Sequence, residues 1–140
     1  MKKEIVKRIF DFLEEKEEHK VPLRWKLINN EPLAKEELIV DDYLDLAYTY
    51  ITSLPEGFEV KGFLDLESTS ITSLPEGLKV GGFLNLRFCT ELTSLPKGLE
   101  VVGDLYVENT ELKKYTDKEL TEMVKPGFIG RIRRIWEQNN

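Results

Sequence analysis

The sequence predicts an α+β repeat solenoid, a single domain in which short parallel strands stack on one face and helices lie near the ends. Three observations predict it. The heptapeptide Ile-Thr-Ser-Leu-Pro-Glu-Gly begins at Ile51 and again at Ile71, and a close copy begins at Leu92. The copies are 20 and 21 residues apart, an interval typical of solenoid repeats. Apolar residues alternate with polar ones before each copy, which is the pattern of a short strand with one buried face.

The array has three full units, residues 43–62, 63–82 and 83–103, and an incomplete fourth unit from residue 104. Its second and fourth positions are apolar in every unit. Parallel strands stack about 4.8 Å apart, so we expect each apolar side chain to meet its counterpart in the next unit. No unit can bury these side chains alone, and stacking therefore creates the core. The apolar columns are Leu44, Leu64, Leu84 and Leu105; Leu46, Leu66, Leu86 and Val107; and Val60, Val80 and Val101.

A threonine follows the strand position in most units. Thr49, Thr69 and Thr110 share this column, where a hydroxyl can satisfy backbone groups that the turn leaves unpaired. The third unit carries its extra residue here, so either Cys89 or Thr90 fills the position. Cys89 is the only cysteine, which excludes an internal disulfide, and we expect it to be a small buried hydrophobe.

The pattern Leu-x-Leu-x-x-x-Thr-x-Ile-x-x-Leu-Pro-x-x-Leu resembles the short bacterial type of leucine-rich repeat, related arrays of which occur in bacterial effectors and in small phage-encoded proteins. The resemblance covers residues 43–115. It implies parallel strands on a concave face, irregular segments on the convex face and a protein-binding role.

The segment before the array is expected to cap it. Residues 1–20 predict an N-terminal helical cap with one apolar face, although the same helix suits docking to a partner or a membrane. Residues 21–42 are a candidate degenerate repeat, since Val40 stands where Val60 and Val80 stand in later units. The apolar face of the helix is Ile5, Val6, Ile9, Phe10, Phe12 and Leu13.

Residues 116–140 predict a C-terminal cap made of a helix and a strand. Thr116 and Glu119 have the spacing of a capping box, so a helix is expected to run to about Val124 and to stop at Pro126. The tail at residues 131–136 then alternates basic and apolar residues. It suits a capping strand that buries Ile132 and Trp136, or binding of the basic side chains to nucleic acid. It also suits self-association, either through the terminal caps or by pairing of the basic tail with the acidic repeats of a second copy.

Composition sets further bounds. The net charge is −6, and residues 43–112 carry eleven acidic but only four basic side chains, which argues against direct nucleic-acid binding. The sequence shows neither a secretory leader nor an apolar run of membrane-spanning length, so a cytoplasmic protein without a membrane partner is expected. His19 is the only histidine, with no cysteine nearby. Neither a metal, a cofactor nor a catalytic residue is therefore expected.

One face of the predicted strands has the composition of an interface. Tyr43, Phe63 and Phe83 occupy the first position of successive units and form what we call the aromatic column. Tyr106 lies one place over and extends it diagonally. Exposed aromatic residues flanked by carboxylates are typical of binding surfaces, although the N-terminal helix or the C-terminal tail folding over these rings would also explain them. Beside them lies a polar column of Asp45, Asp65 and Asn85.

These features predict a non-enzymatic protein–protein interaction module. Tyr43, Phe63, Phe83 and Tyr106 are the expected anchors. The resemblance alone suggests a phage or bacterial protein that inhibits a host factor by occlusion. One alternative is an acidic mimic of nucleic acid that blocks a DNA- or RNA-binding protein. Another is a small hydrolase or ligase that uses Cys89 or the carboxylates. The residues expected to give specificity are Asp45, Asp65, Glu67, Asn85, Arg87 and Glu108.

Overall fold

The structure is a computed structural model, and it describes residues 3–9 and 21–134. Eight short strands form one parallel sheet, wound as a β-solenoid with a few helices, which confirms the predicted repeat solenoid. The helices are α1 (residues 3–9), α2 (Leu23–Ile28) and α3 (Asp117–Val124), with 3-10 turns at Lys35–Leu38 and Glu111–Lys114. The strands are β1 (Ile39–Val40), β2 (Leu44–Asp45), β3 (Glu59–Val60), β4 (Leu64–Asp65), β5 (Lys79–Val80), β6 (Leu84–Asn85), β7 (Glu100–Tyr106) and β8 (Phe128–Arg133).

The strands form two parallel ladders. The first joins β2, β4, β6 and the second half of β7, and it places Leu44, Leu64, Leu84 and Leu105 in register. The second joins β1, β3, β5 and the first half of β7, and its register places Val40, Val60, Val80 and Val101 side by side. The alternation of leucines predicted the first ladder. The second ladder was expected only as an apolar column, because two residues are too few to show a period.

The third unit brings the two ladders together. β7 runs without interruption through both of them, whereas the earlier units bend between their two short strands. β8 then pairs in parallel with the whole of β7, with a register shift between Val101 and Asp104. Because β8 adds a fifth strand to each ladder, β7 has a strand neighbour on both sides.

One continuous apolar core fills the solenoid. It extends from Leu27 in α2 to Val124 in α3, and most leucines of the repeats within it are fully buried. Burying a leucine side chain contributes about 1.5–3 kcal/mol, so each stacked leucine column contributes several such amounts to stability. The helical segments before and after the repeats share this core rather than forming separate ones.

The segment before the array departs from the repeat. Residues 35–42 keep the register of the later units, since β1 pairs with β3 exactly one unit of 20 residues further along the chain. Residues 23–28 form α2 where a repeat would place its first strand. In α1, Ile5 and Ile9 are each 54% exposed, so this part of the predicted apolar face is open. Phe10, Phe12 and Leu13 lie outside the described residues.

The segment after the array has the predicted helix. Thr116 Oγ1 accepts from the Glu119 amide at 3.0 Å, and Glu119 Oε1 accepts from the Thr116 amide at 2.9 Å, which confirms the capping box. The helix ends at Val124 as expected. Ile132 in β8 packs against the core, whereas Trp136 lies outside the described residues. No helix in the described ranges is long and apolar enough to cross a membrane.

Candidate functional site

The aromatic column forms a continuous stack along the first ladder. The ring centroids of Tyr43 and Phe63 are 4.8 Å apart, and those of Phe63 and Phe83 are 4.5 Å apart, with interplanar angles of 13° and 4°. The in-register parallel strands produce this geometry, because they place equivalent side chains about one strand spacing apart. Tyr43 is 55% exposed, and the two phenylalanines are half-buried. The stack therefore remains open to solvent at its N-terminal end.

Tyr106 and a cation end the stack on its C-terminal side. The Tyr106 ring meets Phe83 edge-on, with centroids 5.9 Å apart and an interplanar angle of 88°. The Arg87 guanidinium lies over the Tyr106 ring, 4.8 Å from its centroid, and also pairs with Glu108 at 3.8 Å. Four of the predicted site residues thus form one connected group.

The polar column organises the turn that follows each strand. Asp45 Oδ1 accepts from the amide of Ala47, and Asp65 Oδ1 accepts from that of Glu67, both at 3.0 Å. Asn85 Oδ1 accepts from the amide of Arg87 at the same distance. Each side chain therefore bonds to the backbone two residues on, as Asp and Asn commonly do in turns.

Asn85 differs from the sequence expectation, which placed it on the exposed side of the strands. It is only 2% exposed, because the neighbouring side chains cover it. Its Nδ2 donates to Asp65 Oδ1 and to Glu67 Oε1, both at 3.1 Å, and its Oδ1 also accepts from Arg87 Nε at 3.0 Å. An amide can donate and accept at once, so Asn85 joins the acidic and the basic halves of the face. We assign it a positioning role rather than a direct contact.

Aromatic side chains line the far side of this polar column. Tyr48, Ser68, Phe88 and Asn109 occupy the sixth position of successive units, and all four have a positive φ between 56° and 62°. This left-handed conformation is uncommon for tyrosine and phenylalanine, and here it turns both rings outward. Tyr48 is 70% exposed and Phe88 is 46% exposed. These two rings were not predicted from the sequence, although their shared position in the repeat was a usable signal.

Negative charge accumulates in the N-terminal half of the face. Burial raises the pKa of Asp65, and the charges of Asp45 and Glu67 raise it further. The Tyr48 hydroxyl donates to Glu67 Oε2 at 3.0 Å. This hydrogen bond, together with the charge of Glu67, raises the pKa of Tyr48. The charges of Asp45 and Glu67 thus lie close enough to Asp65 to disfavour its charged form.

Side chains cover the exposed edge of β2 beside Tyr43. Arg24 Nε donates to the main-chain oxygen of Asp45 at 3.1 Å, and Asp42 Oδ1 accepts from the Tyr43 amide at 2.8 Å. These four residues, with Leu44, line a shallow surface concavity. The first ladder therefore begins with a strand whose outer backbone groups are partly satisfied, and the rings rather than the edge are the open feature.

The threonine position contains no reactive group. Cys89 fills it in the third unit and is fully buried, whereas Thr90 is exposed. Burial raises the pKa of the Cys89 thiol, which disfavours the nucleophilic thiolate. Among the described residues, no three histidine, cysteine, aspartate or glutamate side chains converge to hold a metal ion.

Comparison with protein-family models, with curated proteins and with solved structures finds no match. The candidate site is therefore the strand face, which we define as the surface of the first ladder that carries the aromatic column, the polar column, Tyr48 and Phe88. Every residue predicted for partner binding lies on or beside this face, and Asn85 is the one that is buried.

Proposed function

We propose that this protein is a non-enzymatic protein-binding module of the leucine-rich-repeat type and that the strand face contacts the partner. The observation that carries the proposal is the open stack of rings formed by Tyr43, Phe63 and Phe83. Rings held rigidly by a sheet lose little conformational entropy on binding, and aromatic residues dominate the energetics of many interfaces.

The exposure of the surrounding side chains supports the same surface. Tyr43, Tyr48 and Phe88 are large side chains left 46–70% exposed around a polar network that is already hydrogen-bonded. A stable interface takes about 800 Å² from each partner. A face only five strands wide, at about 4.8 Å per strand, needs contributions from the turn rings, so we include Tyr48 and Phe88 in the contact area.

The segments at the ends of the array act as caps in this proposal. Leu120 and Val124 of α3 are fully buried in the core, and β8 covers the edge of β7. Open leucines and open strand edges are liabilities in a repeat array, and terminal segments commonly cover them. A partner held on the strand face would then have its own surface occluded, which makes inhibition of that partner the simplest outcome.

Affinity capture from a lysate of the native host tests the proposal. The wild-type chain is compared with a Tyr43→Ser/Tyr48→Ser variant and with a Val102→Ser control, which changes an exposed apolar residue of the second ladder. We expect a partner that the wild type and the control retain and the double variant loses. Retention by all three proteins would contradict a role for the strand face.

A second measurement separates this proposal from the acidic mimic. The captured complex is washed at rising salt concentration. Binding anchored by aromatic residues weakens little, whereas an acidic surface bound to a basic target loses affinity steeply once the Debye length falls to about 3 Å near 1 M salt. A steep loss of the partner with rising salt would favour the acidic mimic of nucleic acid.

A further inference from the structure

We infer that the strand face receives an aromatic side chain of the protein partner in a ring slot, the space above Ser68 between the rings of Tyr48 and Phe88. This inference rests on the proposed function and names the chemical group that the face would hold. The slot has the width of one ring, and the aromatic column beside it illustrates how a ring fits between two others.

Tyr48, Ser68 and Phe88 share one backbone geometry. They stand one unit of 20 residues apart, and their φ values of 62°, 56° and 62° place all three in the left-handed region. Their amides each donate to a main-chain oxygen of the following unit, at 2.9, 2.9 and 3.2 Å. The three side chains therefore leave the backbone in similar directions at the strand spacing of about 4.8 Å, which puts the first and the third about 9–10 Å apart.

The aromatic column is a filled version of the same arrangement. There, Phe63 lies between Tyr43 and Phe83, with its ring centroid 4.8 Å from the first ring and 4.5 Å from the second. Two rings that stand two strand spacings apart thus accommodate a third ring in stacked contact with both. In the ring slot, Ser68 stands where the middle ring would be, so this position is left to a ring from outside the chain.

The two rings that bound the slot are open to solvent. Tyr48 is 70% exposed and Phe88 is 46% exposed. Among the described residues, the ring contacts of the strand face involve neither of them. The Tyr48 hydroxyl donates to Glu67 Oε2 at 3.0 Å, a contact that holds the edge of the ring and leaves its faces uncovered. One wall of the slot is therefore held in place before a partner binds.

The charge around the slot selects the kind of ring. Residues 43–112 carry eleven acidic and four basic side chains, and the Glu67 carboxylate borders the slot itself. A nucleobase would bring its phosphate to this acidic surface, where like charges repel. The uncharged side chains of phenylalanine, tyrosine and tryptophan meet no such repulsion, and stacking on other rings is favourable for all three.

A peptide titration followed by NMR tests the inference. The probe is acetyl-Gly-Gly-Phe-Gly-Gly-amide, and its matched control carries cyclohexylalanine, whose ring is at least as hydrophobic but too thick to stack. We expect saturable shifts centred on the backbone amides of Tyr48, Ser68 and Phe88. The cyclohexylalanine peptide should bind about three- to tenfold more weakly, the range expected for the loss of aromatic stacking.

Two pairs of matched variants locate the slot. Ser68→Phe supplies the middle ring from the chain itself and should abolish peptide binding, whereas Ser73→Phe adds a ring at an exposed serine of the same unit and should not. Tyr48→Ser removes one wall and should lower the affinity about three- to tenfold. Tyr50→Ser removes a ring that is 89% exposed and lies outside the column, and it should leave the affinity unchanged.

Both variants of the slot are expected to fold. Serine already takes the left-handed φ at Ser68, and aromatic residues take it at Tyr48 and Phe88, so each substitution places a residue type that this column accepts. Amide spectra of the variants check the fold. Unchanged binding by folded Ser68→Phe, equal or tighter binding of the cyclohexylalanine peptide, tighter binding of uridine monophosphate than of the phenylalanine peptide, or no saturable shift would each overturn the inference.

The two proposals fail in different ways. If the native partner is lost by Tyr43→Ser/Tyr48→Ser but kept at full affinity by Ser68→Phe, the binding module stands and the ring slot does not. If neither variant affects the partner, the strand face itself is excluded. Loss in both variants, with retention by Ser73→Phe, supports both proposals.

Discussion

The thiol of Cys89 and the hydroxyl of Thr69 lie 3.5 Å apart, and each contacts the main-chain oxygen of Leu66 at 2.9 Å. Cys89 therefore occupies, in the one unit of 21 residues, the position that threonine occupies in the other units. The extra residue is accommodated in the exposed turn, where Thr90 and Glu91 point to solvent. An insertion of one residue thus leaves the buried column intact.

Burial of this thiol predicts a loss of stability at high pH. The pKa of Cys89 is raised by burial, so the folded state holds its proton more tightly than the unfolded state does. The stability that the protonated Cys89 thiol contributes is fully present below the pKa of the thiol in the unfolded state, and it is lost as the pH rises through the pKa in the folded state. Relative to Cys89→Ser, we expect the unfolding free energy to fall by up to about 1.4 kcal/mol per pH unit above that unfolded value. Urea denaturation from pH 8 upward measures it, and a pH-independent difference would refute it.

The threonine column predicts two unequal costs. Thr110 is buried, and its Oγ1 donates to the oxygen of Val107 and accepts from the amide of Leu112 at 3.1 Å. Thr110→Val leaves both backbone groups unsatisfied, so we expect a loss of about 2–3 kcal/mol. Thr49→Val removes one bond, to the oxygen of Leu46, at a half-buried site and should cost about 0.5–1 kcal/mol. Equal costs, measured by chemical denaturation, would contradict the two-bond role of Thr110.

The sequence was sufficient to predict the repeat, its register and the fully buried columns, because the spacing of the copies and the alternation of leucines repeat three times. It also predicted the capping box at Thr116, which depends on local residues alone. It did not predict α2, since only residues 35–42 of that segment keep the register. The left-handed turns at Tyr48 and Phe88 were missed because neither residue type favours that conformation.

The candidate site was predictable in outline. Position in the repeat alone placed Tyr43, Phe63 and Phe83 in one stack, and the ring distances agree with that placement. The burial of Asn85 and the position of Arg87 over Tyr106 were not predictable, because both depend on side-chain conformations that neighbouring units impose on each other. Repetition in the sequence therefore predicts which side chains stack in one column. The hydrogen bonds and ring contacts between different columns are visible only in the structure.

The crowding of carboxylates predicts that Asp65→Asn stabilises the protein at neutral pH. Burial, and then the charges of Asp45 and Glu67, raise the pKa of Asp65 in the folded state. The stability that Asp65 contributes is therefore fully present below its unfolded pKa and is lost as the pH rises through its folded pKa. Asparagine keeps the acceptor for the Glu67 amide, as Asn85 shows in the next unit. We expect a gain of up to about 1 kcal/mol at pH 7, because the site is partly screened by solvent.

The pH dependence of that gain is its check. The advantage of Asp65→Asn should disappear as the pH falls below about 4, where the aspartate is protonated in both states. Thermal or urea unfolding at pH 7 and at pH 3.5 measures the difference. A variant that is less stable than the wild type at pH 7 would show that the charge of Asp65 is compensated within the chain.

The close approach of two coils at Gly81 predicts a site that tolerates no side chain. A Cβ atom at Gly81 would lie 2.2 Å from the main-chain oxygen of Lys61. That oxygen cannot move aside, because the Lys61 amide donates a hydrogen bond to the oxygen of Val40 at 2.8 Å. Gly81→Ala should therefore force the second coil away from the first and cost about 1–3 kcal/mol. Lys61→Ala changes the equivalent position of the preceding unit, where the exposed side chain pairs with exposed Asp41 at 3.8 Å, and should change stability by less than about 0.5 kcal/mol. Since Phe63 and Phe83 stack beside this contact, near-ultraviolet circular dichroism should show a weakened aromatic signal in Gly81→Ala but not in Lys61→Ala. An alanine variant with wild-type stability and an unchanged spectrum would mean that the coils are further apart than the ring stack requires.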